Sequence, residues 1–264
     1  MDLTKNAARF CGFADVYDQA RPHMPHKAIE IICRYLGSTP ELAVDLGCGT
    51  GLSTQVWRGN CGRVIGVEPS GDMLAVARKK ADDQISFIQA YAHQTGLPDT
   101  CADVVICSQS FHWMEPRKTL REVDRILRSG GVFATVDCDW PPVTLWQAEQ
   151  AYMALYDKVK TIERTSPEIK NTFVRYSKDE HLKNIQGSGY FRYARELVFS
   201  STEKCTAKRF ANLILSQGSL QTILKRSPEV IEEDVERFRR TVAELFGEGE
   251  FEIDFCYRMR VGIK

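Results

Sequence analysis

The chain reads Val44-Asp45-Leu46-Gly47-Cys48-Gly49-Thr50-Gly51 at the end of an apolar run that begins at Leu42. A strand is predicted over Leu42–Leu46, and a helix from Leu52 to about Arg58. Glycine at such a turn lets a ligand approach the backbone closely, and open parallel sheets bind ligands outside the carboxyl ends of their strands. The stretch therefore predicts a ligand site at the end of a strand in an α/β sheet.

Short apolar segments alternate with helical ones along the rest of the chain. Further strands are predicted at Arg63–Val67, Ile85–Ile88, Asp103–Cys107, Gly131–Val136, Glu196–Phe199 and Phe251–Val261. Helices are predicted at about His26–Leu36, after Ser70 as N-cap, at about Arg117–Leu127, and over about 145–164, 203–217 and 228–246. This alternation predicts an α/β fold, a doubly wound Rossmann-like sheet of seven mostly parallel strands with helices on both faces. A helical cap is expected near the C-terminal strands.

Four regions follow from this pattern. We predict an N-terminal lid segment and helix over 1–40, and a ligand-binding core over 41–138. Trp140-Pro141-Pro142 then interrupts the alternation. A helical cap and substrate region is predicted over 139–250, with one core strand near 190–199, and the final core strand over 251–264.

Composition narrows the class of protein. The 264 residues include 35 Lys and Arg against 35 Asp and Glu, and this balance argues against a nucleic-acid partner. No run of about 18 apolar residues occurs, so no membrane partner is expected, and Met1–Lys5 lacks the apolar core of a signal peptide. The 9 cysteines form no Cys-x-x-Cys pair, so we expect reduced thiols, no metal site and a cytoplasmic location.

The residues around the glycines indicate the ligand. A nicotinamide-binding loop needs Gly-x-Gly-x-x-Gly, but Leu52 stands where the third glycine should be. A carboxylate at Asp45 suits a ligand with a cationic end and no phosphates. S-adenosylmethionine, which carries an ammonium and a sulfonium group, fits this requirement. Glu68, about 20 residues after Gly47 at the end of the second strand, can accept both ribose hydroxyls.

Five motifs in order complete a resemblance to the class I S-adenosylmethionine-dependent methyltransferases. They are Asp45–Gly51 with Val67-Glu68-Pro69-Ser70-x-x-Met73-Leu74, Ala92-x-x-x-x-Leu97-Pro98-Asp99, Asp103-Val104-Val105, Ser108-Gln109-Ser110-Phe111-His112-Trp113, and Leu127-Arg128-Ser129-Gly130-Gly131. The resemblance covers about residues 10–138. The Gln-x-Phe-His-Trp segment and the late helical insertions are similar to the small-molecule branch that includes trans-aconitate methyltransferases.

The resemblance implies a set of residues for S-adenosylmethionine. Those expected to contact it are Asp45, Gly47 and Gly49 at the methionine and ribose, Glu68 at the ribose, Met73, Tyr91 and Ala92 at the adenine, and Gln109 under the sulfonium. Tyr91 and His93 depart from the small residue and the acid that many relatives have around Ala92. The segment from Tyr17 to Pro22 resembles one that folds over the cofactor, where Arg21 would pair with the methionine carboxylate or else remain a surface residue.

The catalytic residues expected are His112 and Trp113, which follow Gln109 at the mouth of the site. Trp113 would form a wall for the substrate, and His112 would take a proton from the acceptor. The alternative is that both only pack the end of the strand. Methyl transfer is an in-line displacement, so alignment supplies much of the acceleration, and a carboxylate acceptor has no proton to lose.

We therefore predict a methyltransferase that passes a methyl group from S-adenosylmethionine to a carboxylate or hydroxyl oxygen of a small organic acceptor, leaving S-adenosylhomocysteine. Two alternatives stay open: an RNA or protein methyltransferase, and a module that binds S-adenosylmethionine without catalysis. A nicotinamide oxidoreductase is disfavoured by Leu52 and Asp45.

Overall fold

The computed structural model describes residues 18, 20–170 and 173–264. Its strands are β1 Leu42–Leu46, β2 Arg63–Val67, β3 Ile85–Ile88, β4 Ala102–Ser108, β5 Leu127–Cys138, β6 Tyr193–Thr206 and β7 Glu250–Ile263. The α-helices in this part are α1 His26–Leu36, α2 Leu52–Val56, α3 Gly71–Arg78, α4 Pro116–Ile126, α5 Trp146–Thr165, α6 His181–Gly187, α7 Ala207–Leu215, α8 Gly218–Arg226 and α9 Glu232–Phe246. Single 3-10 turns lie at Phe111–Trp113, Lys178–Glu180 and Pro228–Val230.

The seven strands form one sheet in the order β3-β2-β1-β4-β5-β7-β6. Each adjacent pair among β3, β2, β1, β4 and β5 is parallel, whereas β7 runs antiparallel to β5. Every residue of β1 is buried, as expected for a central strand covered on both faces. The strand order reverses between β1 and β4, and such a switch point opens a crevice at the carboxyl ends of the strands. The predicted fold class is confirmed.

The first three strands and α1 have the predicted bounds, but β5 begins earlier than predicted. Leu127 leaves the helical conformation with φ −79° and ψ 131°, and it pairs with Ala102 in β4. Gly130 has a positive φ of 75° and donates its N–H to the Lys264 carbonyl at 2.9 Å. The predicted end of the helix, at Leu127, and the residues up to Gly130 therefore lie within the strand β5.

The C-terminal half differs more from the prediction. β6 continues to Thr206, whose hydroxyl caps α7 by accepting the Arg209 N–H at 3.2 Å, so the helix predicted from 203 begins at Ala207. Helices α6 and α8 were not predicted. Ser70 does precede α3, yet its side chain makes no capping hydrogen bond.

The chain divides into two compact units. The first comprises residues 22–138, 175–199 and 257–264, and its apolar core includes Val44, Leu46, Val105 and Phe133. The second comprises the described parts of 1–21, 139–174 and 200–256. In the second unit the buried ring of Tyr152 lies 6.1–6.4 Å from the rings of Trp140, Phe210 and Phe238.

The cysteines in the described part are free thiols, and Cys48, Cys61, Cys107, Cys138 and Cys205 are buried. Burial raises the pKa of the Cys107 thiol well above its usual range, so it is a packed apolar group rather than a nucleophile. Across the described residues, helices fall short of the length and apolar character that crossing a bilayer requires.

Candidate active site

The glycine loop bends at the carboxyl edge of the sheet. Gly47, Gly49 and Gly51 have φ values of 68°, 57° and 84°, which residues with a Cβ rarely adopt. The N–H groups of Gly47 and Cys48 both donate to the Val67 carbonyl, at 2.8 and 3.2 Å. The loop after β1 is thereby fastened to the end of β2.

Gly47 also allows a close approach to the segment after β4. A Cβ at this position would lie 2.7 Å from both Ser110 Cβ and Met114 Cε. We expect Gly47→Ala to lower the free energy of unfolding by about 2–4 kcal/mol, the sum of the left-handed backbone cost and overpacking. Gly49→Ala is the matched control, because its Cβ would meet nothing within 4 Å and only the cost of about 1–2 kcal/mol for its positive φ remains. Equal losses in urea unfolding of the ligand-free variants would contradict the close approach.

Asp45 is fully buried at the end of β1, beside the glycine loop. Its Oδ2 accepts hydrogen bonds from Ser53 Oγ at 2.6 Å and Thr54 Oγ1 at 2.7 Å, both in α2. Its Oδ1 is buried and has no hydrogen-bond partner within the described residues. Burial raises the pKa of Asp45 to about 6. Sequence reasoning found Asp45 but missed the two hydroxyls, although Ser53-Thr54 lies just one residue beyond the glycine loop.

Glu68 lies 7% exposed just after β2. Its Oε2 accepts the Gly49 N–H at 3.0 Å, and its Oε1 accepts the Ser70 N–H at 2.8 Å. Burial, together with the charge of Asp45, raises the pKa of Glu68 to about 7 despite these hydrogen bonds. The carboxylate therefore ties the glycine loop to the start of α3, a role that the sequence did not suggest.

This raised pKa predicts a specific pH dependence of stability. Between pH 4.5 and about 7, Glu68 is protonated in the folded protein but ionised in the unfolded chain. Its contribution to the free energy of unfolding is therefore full below pH 4.5 and is lost as pH rises through about 7. The lowered pKa of His112, caused by burial and then by Lys178, acts in the opposite direction, so wild type alone is not diagnostic. We expect the stability difference between wild type and Glu68→Gln to fall by about 1 kcal/mol between pH 6 and pH 8 in urea unfolding. A difference that stays constant with pH would contradict the raised pKa.

The three residues predicted at the adenine follow β2 and β3. Met73 in α3 is 2% exposed and Ala92 is 7% exposed. Tyr91 is partly exposed, with its ring 5.6 Å from that of His93. Since β1 to β3 are parallel, these segments begin at the edge that also carries the glycine loop. Their contacts with adenine stay predictions.

The contacts that Tyr17 and Arg21, near the N-terminus, were predicted to make with the cofactor stay predictions. Tyr17 lies outside the described residues. Arg21 belongs to the second unit, where its Nη2 donates to the Ser216 carbonyl at 3.4 Å and its guanidinium lies 5.0 Å from the centre of the Trp140 ring. Pairing of Arg21 with a ligand carboxylate stays a prediction.

The segment after β4 carries the predicted acceptor-side residues. Gln109 has a φ of 53°, a left-handed conformation that non-glycine residues adopt at some cost and that clusters at functional sites. Its N–H donates to the Val136 carbonyl at 2.9 Å. His112 is 6% exposed, and its ring lies 4.8 Å from that of the partly exposed Trp113.

A buried polar cluster, which the sequence analysis missed, surrounds Asp137 near the end of β5. Asp137 is 2% exposed. Its partners are Arg260 Nη1 at 2.9 Å and His181 Nδ1 at 3.1 Å on Oδ2, and Lys178 Nζ at 3.1 Å and His112 Nδ1 at 3.7 Å near Oδ1. Burial would raise the pKa of Asp137, but Lys178 and His181 hold it well below its usual range. The sequence pattern that could have predicted this cluster is a charged residue within an apolar strand. Asp137 follows Val136, and Arg260 lies between Met259 and Val261.

His112 is neutral in this environment. Its burial, followed by the nearby charge of Lys178, lowers its pKa well below the usual value. Its backbone carbonyl accepts the Tyr176 N–H at 2.9 Å, which holds the segment before α6 against the imidazole. A neutral imidazole can accept a proton, as the predicted role of His112 requires.

A comparison with known families identifies the class of protein. Residues 44–135 match the family described as a methyltransferase domain. The matched range contains the glycine loop, Glu68, Gln109 and His112. Residues 44–135 thus match a methyltransferase domain, in agreement with the resemblance of the sequence motifs.

Particular relatives cover only part of the chain. The CRG1 protein of Saccharomyces cerevisiae, classed provisionally as an S-adenosylmethionine-dependent methyltransferase, is 34% identical over 124 residues, which are 45% of this chain and 43% of that protein. A malonyl-[acyl-carrier protein] O-methyltransferase of Hamiltonella defensa is 29% identical over 133 residues, 50% of this chain and 51% of that protein. The chain thus spans about half the length of these curated relatives.

A solved structure is similar over a longer range. A protein of Anaeromyxobacter dehalogenans, described as a candidate type II methyltransferase, has a TM-score of 0.69 and covers 92% of this chain and 97% of its own. At 20% identity this likeness shows the fold.

Proposed function

We propose that the chain transfers a methyl group from S-adenosylmethionine to an oxygen atom of a small organic acceptor. The observation that carries this proposal is the pair of buried carboxylates, Asp45 and Glu68, on either side of the glycine loop at the switch point of the sheet. S-adenosylmethionine supplies a methyl group activated by its sulfonium.

The cofactor end of the site fits a cation. Asp45 Oδ1 is a buried acceptor without a partner in the described residues, and an ammonium or hydroxyl donor would satisfy it. A nearby positive charge would also favour the ionised form of a carboxylate whose pKa burial raises to about 6. Cation binding therefore relieves an unfavourable arrangement that the ligand-free site contains.

Glu68 is assigned to the ribose. Each of its oxygens accepts one backbone N–H, and a carboxylate oxygen has a second lone pair for a hydroxyl donor. The same two N–H groups hold the carboxylate in a fixed orientation. Met73, Tyr91 and Ala92 are assigned to the adenine, on the edge of the sheet described above.

The acceptor end is assigned to the segment after β4. Gln109 would lie beneath the transferred methyl group, and Trp113 would exclude water from one side. His112, neutral and buried, would accept the proton when the acceptor is a hydroxyl. The name of the Hamiltonella relative, an O-methyltransferase, supports an oxygen acceptor. The free thiols in the described part favour a reducing compartment such as the cytoplasm.

The experiment is a transfer assay with S-adenosylmethionine labelled in its methyl group. The purified chain is incubated in parallel with a library of small carboxylic acids and alcohols, with total RNA and with a protein extract. Label in an organic-extractable small product supports the proposal. Label in RNA or protein would replace it with a macromolecular methyltransferase, and binding of S-adenosylmethionine without transfer in any fraction would favour a non-catalytic module.

A further inference from the structure

Lys178 lies beside Gln109 and His112, the residues assigned above to the acceptor. Its Nζ is 3.0 Å from Gln109 Oε1 and 3.1 Å from Asp137 Oδ1. The side chain is 32% exposed. The hydrogen bond from Tyr176 N–H to the His112 carbonyl, at 2.9 Å, fixes the start of this segment beside the site.

The groups around Lys178 offer hydrogen-bond donors to a ligand. An ammonium has three N–H groups; one donates to Gln109 Oε1, and Asp137 Oδ1 lies within ion-pair distance. Gln109 Nε2 is a buried donor that lacks a hydrogen-bond partner within the described part of the chain. Buried polar atoms of this kind are normally paired, so this donor is expected to meet a ligand. A donor beside a cation suits an anionic oxygen ligand.

We propose that Lys178 and Gln109 Nε2 bind a carboxylate group of the acceptor, and that this carboxylate receives the methyl group. This assignment rests on the proposed methyltransferase function and narrows its acceptor class. Asp137 lies 3.1 Å from the Lys178 nitrogen and offsets part of its charge, so a singly charged carboxylate is a better match than a dianionic phosphate. Arg175, which also lowers the pKa of His112, adds positive potential to the same segment.

The proposed step is balanced without an acid or base. A carboxylate oxygen forms a bond to the methyl carbon with its own electron pair, while the carbon–sulfur bond breaks and its pair goes to sulfur. The carboxylate and the sulfonium lose their charges together, giving a neutral methyl ester and a thioether. No proton moves, so His112 acts here as part of the wall around the carboxylate and not as a base.

The test measures binding of matched anionic and neutral probes to the protein saturated with S-adenosylhomocysteine. Calorimetry would compare benzoate with benzamide and malonate with malonamide, on wild type and on Lys178→Met. We expect wild type to bind each carboxylate at least tenfold more tightly than its amide. Lys178→Met should reduce this preference to threefold or less, with amide binding unchanged. A purely structural role of Lys178 would weaken both members of each pair equally.

Two further variants serve as controls. Lys178→Arg keeps the positive charge and should retain most of the carboxylate preference. Lys183→Met removes an 80% exposed lysine from the neighbouring helix α6 and should behave as wild type. Binding of S-adenosylhomocysteine reports that each variant is folded.

The binding results distinguish a failure of the proposed function from a failure of the role assigned to Lys178. If wild type does not bind S-adenosylhomocysteine, the proposed function itself fails. If it binds S-adenosylhomocysteine but shows no carboxylate preference, or if Lys178→Met keeps that preference, only the role of Lys178 is overturned.

Discussion

Replacing Asp137 with alanine should lower the free energy of unfolding by about 3–5 kcal/mol, because it leaves buried cations without their counter-charge. Asp137 and Arg260 are each 2% exposed and lie 2.9 Å apart, and Lys178 and His181 also use the same carboxylate. Arg260 would keep Glu196, at 2.8 Å, as its remaining acidic partner. Urea unfolding followed by tryptophan fluorescence measures the loss.

The matched control is Asp83→Ala, since Asp83 is exposed. A surface change of this kind should alter stability by less than about 0.5 kcal/mol. If Asp137→Ala lost no more than the control, the buried cluster would not be organised around this carboxylate.

Asp45→Asn should weaken binding of S-adenosylmethionine by about 10- to 100-fold. A charge-assisted hydrogen bond contributes about 1.5–3 kcal/mol, and about 1.4 kcal/mol corresponds to a tenfold change. Asparagine keeps an oxygen that accepts the Ser53 and Thr54 hydroxyl groups, which bond to Oδ2 at 2.6 and 2.7 Å, so the start of α2 should be preserved. The effect therefore reports the loss of the negative charge and of the acceptor at the unpartnered Oδ1.

Titration calorimetry at pH 8, where wild-type Asp45 is ionised, gives the dissociation constants. Asp83→Asn, the same change at an exposed position, should bind as wild type does. Unchanged affinity in Asp45→Asn would show that the charge of Asp45 serves only the local structure of the loop.

The sequence was most informative where the sheet is parallel and buried. The strands β1 to β3 have the predicted bounds because each is a short apolar run that ends at a polar or glycine-rich turn. β6 was harder, since each of its residues up to Lys204 is at least partly exposed and a half-exposed strand carries no continuous apolar run. Its extension to Thr206 replaced part of a predicted helix.

In the candidate site, too, the sequence predicted the residues that lie in local motifs and not those brought together by distant parts of the chain. Asp45, Glu68 and Gln109 were recognisable because local motifs at strand ends contain them. The Asp137 cluster was not, because Arg260 reaches Asp137 across 123 positions of the sequence and Lys178 reaches Gln109 across 69. The contact of Arg260 with Asp137 follows from the pairing of β5 with β7, and not from local spacing. Similarly, Glu68 was predicted as a ligand residue, whereas its bonds to two backbone N–H groups became visible only in the folded loop.

Calorimetric binding of S-adenosylmethionine to the purified, ligand-free wild-type chain, with NADH as the control ligand, tests the proposed cofactor most directly. We expect micromolar binding of S-adenosylmethionine and none of NADH. Absence of S-adenosylmethionine binding to protein shown to be folded, or binding of NADH in its place, would contradict it.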